Sequence, residues 1–132
     1  MMKVFVPLVA MTLSSFSFAQ NPLSVHVLNL ENGLPSAGVK VILEKQENNQ
    51  WKTLNNNITN QQGRITDLYP KDTPLQKGIY KVTFKTGEWF EQHKQISFFP
   101  EVPVIFAIDG KLEHYHIPLL ISPYGYSTYR GN

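Results

Sequence analysis

The chain has 132 residues, 12 Lys and Arg against 10 Asp and Glu, a formal net charge of +2 and no cysteine. Scattered basic residues on a nearly neutral chain make no electrostatic case for nucleic acid or an anionic membrane, and the lack of thiols excludes disulfides, cysteine nucleophiles, Fe–S clusters and Cys-based zinc sites. Nine Pro and eight Gly beside 12% aromatics imply short elements and many turns, the habit of an all-β fold.

Lys3 is the only charge in the first thirty residues, and an apolar run, Val4 to Leu13, follows it. Ser14, Ser15 and Ser17 come next, with the small residues Ser17 and Ala19 where a signal peptidase accepts them. This pattern predicts a secretory signal over 1–19 and one domain over 20–132. The apolar run is shorter than the roughly 20 residues that cross a bilayer, so a membrane anchor is the weaker reading. The mature chain is expected to be soluble, without membrane association.

Leu23 precedes a first strand through Ser24-Val-His-Val-Leu-Asn, with Val25 and Val27 on one face and His26 and Leu28 on the other. Glu31 to Gly38 is a turn cluster. Val39, Val41 and Leu43 alternate with Lys40 and Glu44, predicting a second strand with one wet face. Glu47-Asn-Asn-Gln is a hairpin tip. Trp51 to Leu54 begins a third strand that fades into Asn55-Asn-Asn. A turn over Asn60 to Arg64 leads to a short strand through Ile65, and Tyr69 to Lys77 reads as loop.

Tyr80, Val82 and Phe84 share a face of the next strand, and Gly87 to His93 is the one predicted helix. Val102, Val104, Phe106 and Ile108 form the apolar face of another strand, closed by the turn Asp109-Gly110. His114 to Ile121 is a strand, Ser122-Pro123 breaks it, and Tyr124 to Tyr129 is the last. Seven or eight short strands with one short helix fit an antiparallel Greek-key β-sandwich.

His26, His114, His116 and Arg130 sit oddly within apolar strands, and Arg64 follows the turn residue Gly63. His114 and His116 share a face, because side chains two apart in a strand do. Two chemistries suit these groups. Three imidazoles could bind zinc. Alternatively, a His serves as general base toward water while an Arg stabilises a developing oxyanion. The C-terminal Ser122-Pro-Tyr-Gly-Tyr-Ser-Thr-Tyr-Arg-Gly-Asn is too aromatic for an ordinary frayed end. It reads either as an edge strand or as a terminus ordered against a site for a planar, oxygen-rich heterocycle.

His26-Val-Leu-Asn, Gly33-x-Pro-x-x-Gly38-Val, Thr59-x-x-x-Gly63-Arg64 and Phe98-Phe-Pro-Glu101-Val resemble the transthyretin-like proteins. The block from His114 to Gly131 is similar to the end of their enzyme branch, the 5-hydroxyisourate hydrolases, whose closing tetrapeptide contains Tyr-Arg-Gly. The resemblance runs from about Leu23 to Asn132. It implies a transthyretin-like sandwich, with His26, Arg64 and His116 as catalytic residues. Tyr129, Arg130, Gly131 and Asn132 would close the substrate pocket. It further implies 5-hydroxyisourate as substrate, no cofactor and no metal, a homotetramer built as a dimer of dimers, and, with the signal peptide, a periplasmic location. Two positions depart from the pattern. The tetrapeptide ends in Asn132 where the family has Ser, and Asn29 stands where many members have Asp. A non-catalytic carrier of small molecules and a His-based metal protein are the two rival readings.

Overall fold

The computed structural model describes residues 1–7, 9–13 and 20–132. The expected cleavage positions, Ser17 and Ala19, lie outside the described residues. Among the described residues nine strands and one helix follow in order: β1 (Leu23–Asn29), β2 (Leu34–Pro35), β3 (Lys40–Glu47), β4 (Gln50–Ile58), β5 (Arg64–Ile65), β6 (Gly78–Phe84), α1 (Thr86–Gln92), β7 (Val102–Ile108), β8 (Tyr115–Ser122) and β9 (Gly125–Thr128). They form two sheets, one in the order β2-β1-β8-β9 with β5 also on β1, the other in the order β4-β3-β6-β7.

The alternation read from the sequence sets which face is buried. Val25, Val27, Leu119 and Ile121 of the first sheet meet Val41, Leu43, Tyr80, Val82 and Phe84 of the second, all 0–1% exposed. Trp89 and Phe90 on α1 join the same core. The intervening residues of β1 and β8, including His26 and His116, therefore point away from the core on the outer face of the first sheet. That outward face is where polar groups can gather without desolvating in the sandwich interior.

The structure is the expected all-β sandwich, with three differences of detail. β1 and β8 pair in parallel, with Ser24 opposite His116 and Val25 opposite Ile117. Sequence periodicity is the same for parallel and antiparallel strands, so it carries no sign of direction. β4 continues through Asn55-Asn-Asn to Ile58, because its ladder with β3 holds Asn57 opposite Val41 and Asn56 opposite Ile42. An edge strand tolerates polar side chains that propensity alone would reject. Residues Leu34 and Pro35, in the expected turn cluster, pair briefly with β1. The β3–β4 hairpin turns at Asn48 and Asn49, with φ of 52° and 60°. These are the left-handed conformations that Asn accepts and a two-residue hairpin requires.

Candidate active site

Arg64 is placed by its local sequence. The Asn60 Oδ1 accepts hydrogen bonds from the backbone N–H of Gln62, at 3.0 Å, and of Arg64, at 2.9 Å. Gly63 takes φ of +71° and packs so closely that a Cβ there would lie 2.5 Å from the Val27 carbonyl oxygen. Only glycine allows this approach. The Gly63 carbonyl then accepts from Val27 N–H at 2.8 Å, and β5 pairs with β1 so that Arg64 stands directly opposite His26. Thr59 fixes the start of the turn: its hydroxyl donates to the Ser36 carbonyl at 2.7 Å and accepts from Val39 N–H at 2.9 Å.

His116 reaches the same face from β8. Its Nδ1 lies 2.6 Å from the Ser24 hydroxyl, which also lies 2.9 Å from His114 Nε2. The two imidazole planes lie within 19° of parallel, with ring centroids 6.5 Å apart. The C-terminal segment folds back on this point. Gly131 N–H donates to the His116 carbonyl at 2.8 Å. A Cβ on Gly131 would lie 2.6 Å from His116 Cδ2 and 3.0 Å from Pro118 Cγ, so the glycine is required for close approach.

A cavity of about 190 Å³ is lined by Ser24, Arg64, Thr66, His114, His116 and Asn132, with Gln20 and Val25. A neighbouring cavity of about 250 Å³ is lined by Tyr129 and Arg130 together with Val104, Phe106 and Tyr115, and it too includes His116. Of the residues singled out in the sequence, Arg64, His114, His116 and Asn132 share the first cavity. Tyr129 and Arg130 face the second. Gly131 bridges to His116 between them. His26 lines neither cavity but is cross-strand neighbour to Arg64. Ser24 is the residue that sequence reading passed over. Its signal was its position two before His26, on the same face of the same strand.

Burial pushes the His116 imidazole below the ordinary 6.5, and the positive field of Arg64, then His114 and His26, pushes the same way. Burial, then Arg64, lowers His26 as well. Both rings are therefore held neutral at pH 7, the form that accepts a proton. Among the described residues neither Arg64 nor Arg130 forms an ion pair, so both guanidiniums are unspent. Among the described residues no group of three or more His, Cys, Asp or Glu is arranged to hold a metal ion. His114 and His116 share one hydroxyl, that of Ser24. Neutral imidazoles beside a free guanidinium suit proton abstraction from water next to an electron-rich oxygen.

The sequence profile of the HIUase/Transthyretin family matches residues 23–131. The 5-hydroxyisourate hydrolase of Salmonella dublin is 48% identical over 129 residues, covering 98% of this chain and 94% of its own. The mouse 5-hydroxyisourate hydrolase is 38% identical, covering 85% of this chain and 96% of its own. Among solved structures, Klebsiella pneumoniae 5-hydroxyisourate hydrolase superposes with a TM-score of 0.73 at 40% identity, covering 83% of this chain and 98% of that one. Sea bream transthyretin in complex with thyroxine superposes with a TM-score of 0.78 at 25% identity, covering 83% and 94%. Backbone shape thus fits a 5-hydroxyisourate hydrolase and a thyroxine-bound transthyretin alike, and side-chain identity separates them.

Proposed function

The chain belongs to the HIUase/Transthyretin family, and from that premise we propose that it hydrolyses 5-hydroxyisourate to 2-oxo-4-hydroxy-4-carboxy-5-ureidoimidazoline. The observation that carries this reading is the meeting of Arg64, His116 and the C-terminal Asn132 around one cavity. A carrier needs only an apolar channel. It has no use for two proton-accepting imidazoles beside a guanidinium without a counter-ion.

The substrate is a cyclic amide with electron-poor carbonyls. A neutral imidazole takes a proton from water as the oxygen adds to a ring carbonyl carbon. The ring C–N bond then breaks, and the imidazolium returns the proton to the departing nitrogen. Arg64 offsets the negative charge that gathers on the substrate oxygens. His26, opposite Arg64 across the β1–β5 pairing, stands beside that guanidinium. Tyr129, Arg130 and Gly131 close over the ring. Asn132 keeps hydrogen-bonding groups where the family has Ser.

Decay of ultraviolet absorbance by freshly generated 5-hydroxyisourate tests these roles. His116→Ala and Arg64→Ala are expected to lower kcat/KM by about 100- to 10,000-fold, the usual effect of removing a positioned base or charge stabiliser. Wild-type rates in either folded variant would overturn the assignment.

The assembly and destination follow the same reading. β7 and β9 each end a sheet, and Val104 of β7 and Thr128 of β9 both line the 250 Å³ cavity, so these two free edges lie on one side of the sandwich. Such edges invite pairing with a second copy, and a homotetramer built as a dimer of dimers would enclose the open cavities. Residues 1–7 and 9–13 form no strand or helix and are exposed, and the family match begins only at 23. This supports removal of residues 1–19 on export to the periplasm. Mass and sedimentation of the exported protein are expected to give a tetramer beginning at Gln20; a monomer, or an intact Met1, would contradict the respective parts.

A further inference from the structure

We propose that Ser24 and His114 are positioning residues that fix the tautomer of His116, making its Nε2 the base that takes the proton from water. The inference rests on the hydrolase reading and assigns the base within it. It follows from the direction of four hydrogen-bonding groups in a row. The Asn21 carbonyl lies 2.6 Å from His114 Nδ1. A carbonyl only accepts, so His114 Nδ1 carries the hydrogen, and in the neutral ring His114 Nε2 holds the lone pair. That lone pair, 2.9 Å from Ser24 Oγ, draws the hydroxyl hydrogen toward itself. The Ser24 oxygen then has only lone pairs to offer His116 Nδ1 at 2.6 Å, so Nδ1 of His116 carries the hydrogen.

The remaining nitrogen of His116 is consequently unprotonated. Ser24 takes up Nδ1 and His116 lines the cavity, so Nε2 is the ring nitrogen left to meet water there. Among the described residues Nε2 has no hydrogen-bond partner. When it takes a proton from water, the imidazolium keeps donating through Nδ1 to the Ser24 oxygen, and no group in the row has to turn. Ser24 is itself buried, at 8% exposure, so no bulk water competes for the hydroxyl. The row thus does with a backbone carbonyl, a second imidazole and a hydroxyl what a carboxylate does for the histidine of a hydrolase triad. His26 has no comparable row, and its place is beside Arg64.

The test reads the tautomer directly and activity separately. In the resting protein at neutral pH, nitrogen NMR of the His116 ring is expected to show Nδ1–H and an unprotonated Nε2. Ser24→Ala is expected to move His116 toward the Nε2–H tautomer and to lower kcat by about 10- to 100-fold with KM little changed, less than loss of the base itself. His114→Phe, which removes the acceptor that orients the hydroxyl, is expected to produce the same tautomer shift. Ser24→Thr keeps the hydroxyl and is expected to recover most of kcat. An Nε2–H ring in the wild-type protein, or full kcat in Ser24→Ala, overturns the inference. If Ser24→Ala is fully active while His116→Ala is dead, the hydrolase reading stands and only the positioning row falls. Full activity in His116→Ala would bring down the underlying reading and the inference with it.

Discussion

His26 and His116 owe their neutral state to burial first and to Arg64 second. The sign of the pH dependence follows. Both folded values lie below the ordinary 6.5, so the unfolded chain binds these protons first as pH falls. The stability these two groups leave intact above about 6.5 is lost as pH drops through their folded values. Activity that needs the neutral rings should persist to the same lower pH. Arg64→Gln removes one of the two main causes and leaves burial, so both imidazoles are expected to titrate nearer 6.5. Proton NMR titration of the ring signals checks this; unchanged values in the variant would rule out Arg64 as a cause. His26, His114, His116 and Arg130 stood out in the sequence because they sit within apolar strands, and Arg64 because it follows the turn residue Gly63. Ser24 did not, since a serine on the outer face of a strand is unremarkable until its neighbours across the sheet are known.

At the scale of elements, the turn between β4 and β5 is the device that brings Arg64 to the site. Asn60 organises it through its side chain, and Gly63 permits contact with the β1 backbone. Gly63→Ala would force an L-residue into the left-handed region, a cost of about 1–2 kcal/mol before any clash. The clash with the Val27 carbonyl adds to it and must displace Arg64. A lowered denaturant midpoint together with reduced kcat/KM is expected; an unchanged midpoint would mean that the turn is not so tightly held. The strands that face the core on one side were legible from alternation, as with Val39, Val41 and Leu43. Strand ends and partners were less so. Asn55 to Asn57 belong to β4 only because β3 supplies the ladder, and two-residue β2 and β5 exist only by pairing with β1. Those are non-local facts with no local signature.

For the molecule as a whole, one sheet does two jobs. Its inner face closes the core through Val25, Val27, Leu119 and Ile121, while its outer face carries Ser24, His26, Arg64 and His116. The parallel pairing of β1 with β8 joins residues about ninety positions apart in sequence, such as Ser24 and His116. It sets the spacing of the site, and alternation alone could not have disclosed it. The same sandwich serves a thyroxine-bound transthyretin structure with a TM-score of 0.78. Function is therefore decided by what the outer face bears and by the C-terminal segment laid over it. The most direct measurement of that claim generates 5-hydroxyisourate in situ with urate oxidase and follows its ultraviolet decay with and without the purified protein. Decay well above the spontaneous rate is expected, with many substrate molecules consumed per chain. Decay at the spontaneous rate, in protein that still binds aromatic ligands, would contradict it and make the chain a carrier.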